Sequence, residues 1–244
     1  MPILLVFLLQ NAMDMLYSLE IGDPSKVDQL SQTYSIMWAL CHGNGQHTDT
    51  VRKSNFFQKW SKTIDFCIGD GDWSLLASLC LGVGATVFIN NRKQRTKLVQ
   101  AEAPSKIATL LRKYPENVPI NIQSLLLLND LNKDPTLQRS QAMFEALESA
   151  LENWKQHHQQ HKEVTYTVFE TIPSFVKYSA AILSQWGIPK AVLESLKLYH
   201  DCSEIQIQGN IFLESMRKAN SHHRRESVLP TPQSRSLQEK VPFE

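Results

Sequence analysis

The chain has almost no excess charge of either sign: 25 lysines and arginines meet 24 acids, for a net +1 over 244 residues. A balanced chain cannot neutralise many phosphates at once, which argues against general nucleic-acid binding. Glycine and proline are sparse at 9 and 11, too few for a collagen-like or wholly disordered chain. Cysteine is scarce too. Cys41, Cys67, Cys80 and Cys202 form no closely spaced metal or redox pair. They sit among apolar neighbours as small hydrophobes, consistent with a reducing, cytoplasmic setting with the nucleus as alternative. Strand signals are nearly missing, apart from alternation in Val164–Val168.

No stretch is long enough to span a bilayer, so no membrane is expected. The start, Met1–Leu9, is apolar and resembles part of a signal peptide, but the first positive side chain is Lys26. Continued through Met13, Leu16 and Leu19, the run has the three-to-four-residue spacing of a buried helix. A targeting segment is the alternative. An apolar first helix without a polar cap also suits a chain that begins inside a longer array, or one that self-associates through this helix.

What the sequence does have is helical periodicity throughout. Leu75, Leu76, Leu79 and Val83 predict a helix behind Asp70-Gly71-Asp72, whose carboxylates can cap it. Leu125–Leu128 with Leu131 predict a second, and Met143, Leu147, Ala150, Leu151 and Trp154 a third. Leu137–His161 reads as one long helical stretch. Sliding the chain against itself by 85 residues lays Ala103–Leu131 on Ile188–Met216 without a gap. Seven positions are identical: Pro104/Pro189, Leu111/Leu196, Tyr114/Tyr199, Ile120/Ile205, Ile122/Ile207, Gln123/Gln208 and Leu128/Leu213. An offset of 85 is twice a period of about 40–47 residues.

These segments resemble armadillo/HEAT-like helical repeats. Asn91–Pro104 resembles a first helix and its turn, Ser105–Tyr114 a second helix, and Pro119–Leu131 a long third helix. Trp186-Gly187-Ile188-Pro189 resembles the family's Gly-x-Pro turn, and Ile36–Gly43 the end of another third helix. The resemblance implies an all-α, right-handed superhelix of about five units over 1–218, with a disordered tail at 219–244. It also implies a non-enzymatic scaffold that holds a protein or peptide, without a cofactor. The family's third helices usually carry tryptophan and asparagine ladders. Here the corresponding residues are Leu126 and Asp130, and Ile211 and Ser215, so recognition in the manner of import receptors is not expected. Stacking would place Leu126 and Ile211 in the core. Gln123, Asp130, Gln208 and Glu214 are the polar binding candidates, with Asp130 expected to tolerate charge reversal. A regulatory fragment of a larger, kinase-like protein is the alternative, and an all-helical enzyme a third reading.

Other motifs have simpler explanations. Leu81-Gly82-Val83-Gly84 lacks the third glycine of a dinucleotide loop and fits close helix packing. Asp70-Gly71-Asp72 begins like a calcium loop but has Leu75 and Leu81 where glycine and glutamate belong. His157 and His161 share a helix face, but two ligands leave a zinc tetrahedron incomplete, so no metal is expected. From Arg217 to Glu244, six basic residues face three acids, which leaves residues 1–216 at −2 and hides no basic groove. Arg224-Arg225-Glu226-Ser227 resembles a basophilic-kinase acceptor, and Thr231-Pro232 a proline-directed one.

Overall fold

A computed structural model describes residues 2–226, with side chains described for 4–221. Ser227 and Thr231 lie outside the described residues. Among those residues the chain is all-α, with thirteen α-helices and no strands. They are α1 Pro2–Ser18, α2 Val27–Cys41, α3 Gly45–Lys53, α4 Phe56–Ile68, α5 Ser74–Phe88, α6 Arg92–Gln100 and α7 Ala103–Lys113. There follow α8 Val118–Leu131, α9 Gln141–Asn153, α10 Lys162–Thr171, α11 Pro173–Gln185, α12 Ile188–Leu198 and α13 Ser203–Glu226. Helix α13 thus continues past residue 218. The alternating Val164–Val168 segment is helical, within α10, because its apolar side chains pack into a helical core rather than a sheet.

Local chemistry sets many of the helix starts. Asn44, Asn91, Asn117 and Ser140 each accept a backbone N–H three residues on, at 3.0–3.3 Å. Each such cap satisfies a donor the helix leaves orphaned and contributes about 1 kcal/mol. Asp72 accepts the Ser74 N–H at the start of α5, as the acidic cluster predicts. Helix α9 passes directly into a π-helical turn, Trp154–His158, so residues 141–158 form one continuous helical path.

Two rows of helices build the molecule. In one row, α2 packs on α5, α5 on α8, α8 on α10, and α10 on α13. The starts of these five helices are 47, 44, 44 and 41 residues apart. In the second row, α1 packs on α4, α4 on α7, and α7 on α9. Hydrogen bonds tie neighbours together at the same interval. Lys59 Nζ donates to the Leu19 carbonyl, Gln94 Nε2 to Arg52, Asn153 Nδ2 to Leu111, and Asn132 Nδ2 to Ser174, all 40–42 residues away.

The 85-residue register reappears in the backbone. Ala103–Lys113 and Ile188–Leu198 coincide at that shift, as do the starts of α8 and α13. The residue ahead of each pair is left-handed: Glu102 has φ 54° and Gly187 φ 71°. Only the second position carries the residue that suits this conformation.

The core runs the length of both rows. Trp60 donates from Nε1 to the Cys80 carbonyl (2.9 Å) and meets Phe88 edge-on at 5.1 Å. A Cβ on Gly84 would stand 2.5 Å from Trp60 Nε1, so this glycine lets α4 and α5 approach closely. Its packing role is the one expected from the sequence. Two expected core residues are placed otherwise. Leu126 is only half-buried, and Ile211 is 46% exposed, because these equivalent positions fall on the helix face turned away from the core.

Candidate functional site

Each middle helix of the first row keeps one stripe out of the core. On α5 it comprises Leu75, Ser78, Leu79 and Thr86; on α8, Pro119, Ile122, Gln123, Leu126 and Asn129; on α10, Lys162, Glu163, Tyr166 and Glu170. The spacing within each stripe is that of a single helix face. Because these three helices pack in succession, the stripes adjoin. At one end Trp38 of α2 lies over Gly82 of α5, its indole within 3.7 Å of where a Cβ would stand. The resulting surface is uncharged over α5 and α8 and carries two acids, Glu163 and Glu170, against one base, Lys162, over α10.

The four polar candidates fall in different places. Gln123 belongs to the α8 stripe, and Gln208, its counterpart 85 residues on, is half-buried on α13. Glu214 lies beside a cleft of about 590 Å³ with Ile207, Asn210, Ile211 and Lys218. Its carboxylate accepts from Arg217 Nε and Nη2, each at 2.8 Å, with Lys218 Nζ 3.6 Å away. The Arg217 hydrogen bonds, with the nearby charges, hold the Glu214 pKa down at about 2.

Asp130 is not a surface contact. It is 2% exposed and accepts from the Asn90 N–H (3.0 Å), Arg95 Nε (3.2 Å), Arg95 Nη2 (3.1 Å) and Lys133 Nζ (3.0 Å). Burial opposes its charge, but these donors outweigh it, so its pKa is lowered. Both oxygens are engaged in fastening α6 and the α5–α6 turn to α8. The expectation that charge reversal here leaves the fold intact is therefore corrected: a cation would face Arg95 and Lys133 in a buried site.

The histidine segment is also more than a solvated end. His157 and His161 are exposed, while His158 between them is 1% exposed, with Nε2 2.8 Å from the Pro115 carbonyl and Nδ1 unpartnered. Among the described residues, no cluster of three or more histidines, cysteines or acids could hold a metal ion. All four cysteines are free and buried; burial raises the Cys41 pKa to about 11 and that of Cys67 to about 12. No helix among these residues is long and apolar enough to cross a membrane.

Sequence reasoning missed the α5 and α10 stripes. Their signal was present: Ser78 and Thr86 interrupt an otherwise apolar helix, and Glu163, Tyr166 and Glu170 recur at helical spacing. Comparison adds no relative. The chain matches no protein-family model, no curated protein and no solved structure.

Proposed function

We propose that the chain is a non-enzymatic binding scaffold, an armadillo-like right-handed superhelix of five units whose third helices hold an extended protein segment. The observation that carries this reading is the row α2–α5–α8–α10–α13, with starts 41–47 residues apart and hydrogen bonds between neighbours at the same interval. That interval matches a helical repeat of about 40–47 residues, in which units bury their apolar faces on one another. The units are then α1–α2, α3–α5, α6–α8, α9–α10 and α11–α13, with no separate first helix in the fourth.

The stripes on α5, α8 and α10 are the surface such a stack leaves open. Their chemistry suits a segment with apolar side chains over Leu75, Leu79, Ile122 and Leu126 and a lysine or arginine near Glu163 and Glu170. Asp130 drops out as a contact, Gln123 stays in the face, and Gln208 and Glu214 extend it onto α13.

Selection from a displayed random-peptide library tests this. The expected result is enrichment of sequences sharing spaced apolar residues and a basic one. Leu75→Glu, at a 64% exposed position, and Glu163→Lys with Glu170→Lys should each weaken the selected peptides at least tenfold with unchanged thermal melting. No enrichment, or peptides indifferent to both variants, overturns the reading.

A further inference from the structure

The near-neutral total conceals a sharp division of charge along the chain. Residues 45–113, which form α3 to α7, carry 11 bases against 5 acids, a net +6. Residues 1–44 carry 1 base and 4 acids, a net −3, and residues 114–216 carry 7 bases and 12 acids, a net −5. Outside the basic block, several bases stand beside carboxylates three or four residues away. Lys155 meets Glu152 at 2.8 Å, Lys190 meets Glu194 at 4.0 Å, and Arg217 meets Glu214 at 2.8 Å.

Helix α6 breaks this pattern, with four bases and no acid in nine residues. Arg92 and Lys93 occupy its first turn, where the positive end of the helix dipole disfavours cations. Lys93 and Lys97 are like charges one turn apart, which also opposes the helix. Among the described residues, Arg95 alone of the four has a carboxylate within 4.0 Å, the buried Asp130. Lys53, at the end of α3, has none either. A helix kept against its own local electrostatics points to a functional site, here one that takes an anion from outside.

These lysines adjoin a cleft of about 350 Å³ between the α3–α4 turn and α6. Ser54, Asn55, Phe57, Gln58, Lys97 and Gln100 line it, and no acid does; Glu102, the acid nearest in sequence, lies outside the lining. Lys53 precedes Ser54, and Lys93 shares the α6 face of Lys97 and Gln100; both lysines are exposed. Gln94 Nε2 donates to the Arg52 carbonyl at 3.2 Å, which fixes α6 against the end of α3.

We infer that this cleft binds an acidic segment of a partner protein, with carboxylates set against Lys53, Lys93 and Lys97. The side-chain amides of Asn55, Gln58 and Gln100 offer both donors and acceptors, as a peptide backbone requires. Nucleic acid suits the cleft less. Lys97 Nζ lies over the Phe57 ring, 5.8 Å from its centre, so no bare aromatic face is left for a base to stack on. An anionic bilayer also suits it less. None of the large apolar side chains exposed among the described residues belongs to α3, α4, α6 or α7, so nothing apolar would enter the lipid. The cleft lies apart from the stripes on α5, α8 and α10 and does not rest on the peptide face proposed above.

Fluorescence anisotropy of a short labelled oligoglutamate with the full chain at physiological ionic strength tests this. Saturable one-to-one binding is expected, weakening at higher salt as exposed charges are screened. Lys53→Glu with Lys93→Glu should weaken it about tenfold or more. Lys177→Glu with Lys190→Glu, the same change of charge on α11 and α12, should alter it less than about twofold. Lys93→Glu alone should also raise the melting temperature, because a carboxylate then stands in the first turn of α6 and four residues before Lys97. Weaker binding in a more stable protein excludes misfolding as the cause. No saturable binding, equal weakening in both double variants, or a lower melting temperature for Lys93→Glu overturns the proposal. So does tighter, Lys93-dependent binding of a labelled oligouridylate, or Lys93-dependent cosedimentation with phosphatidylserine vesicles. Peptides selected on the third-helix face should bind Lys93→Glu as they bind the unaltered chain, so failure at one site is distinguishable from failure at the other.

Discussion

Asp130 and His158 are the two buried ionisable side chains whose surroundings decide most about stability. Asp130 receives four donors from three residues, and removing it leaves Arg95 almost buried without its carboxylate. Asp130→Ala should cost about 3 kcal/mol in urea denaturation, the scale of a buried pair losing one partner. A change under 1 kcal/mol would mean the network is not holding α6 in place. His158 acts in the opposite sense. Burial lowers its pKa, the Pro115 bond raises it, and His161 and His157 lower it further. The unfolded chain then takes up a proton near the ordinary value of 6.5, where the folded chain resists it. Stability is therefore full above about pH 6.5 and falls as the pH drops through 6.5 toward the lower folded value. His158→Gln, which can keep a donor toward Pro115 but cannot titrate, should flatten the stability profile between about pH 7 and 5. An unchanged slope would assign the acid sensitivity elsewhere.

Among elements, the entries to α7 and α12 form a natural comparison. The same left-handed residue is glycine before α12 and glutamate before α7. A side chain in that conformation costs about 1 kcal/mol, so Glu102→Gly should raise the midpoint of thermal unfolding, measured by circular dichroism. A lower midpoint would show that Glu102 makes a compensating contact. Much of this level was legible in the sequence, because capping residues, apolar spacing and the 85-residue self-match are local signals. The starts of α5, α7, α8 and α12 fall within two residues of their expected places. The errors arose where a distant partner decided the outcome. Asp130 read as a groove residue because Arg95 lies 35 positions away, and Leu126 and Ile211 read as core because they are apolar, although both fall on the helix face that stays out of the core. The stripe on α5 was hidden for another reason: Leu75 and Leu79 look like core residues until α2 and α8 are seen to occupy the other faces.

For the whole molecule, position in the row should set local stability. Helices α5 and α8 are flanked on both sides, whereas α1 and α13 each have an uncovered face. Native-state hydrogen exchange should be slowest in α5 and α8 and fastest toward the ends. Uniform protection would indicate a single cooperative block.

The interval that joins neighbouring helices also limits how far damage can travel. No side-chain hydrogen bond among the described residues spans more than 47 positions, so none connects the first helix to the last. A lesion such as the loss of the Asp130 network would loosen α6 and its neighbours and leave α12 and α13 their own bonds. In the proposed repeat architecture, duplicating or deleting a whole unit would require no rethreading of the chain. Evolution could therefore lengthen or shorten this protein in steps, each new unit meeting surfaces already shaped to receive it.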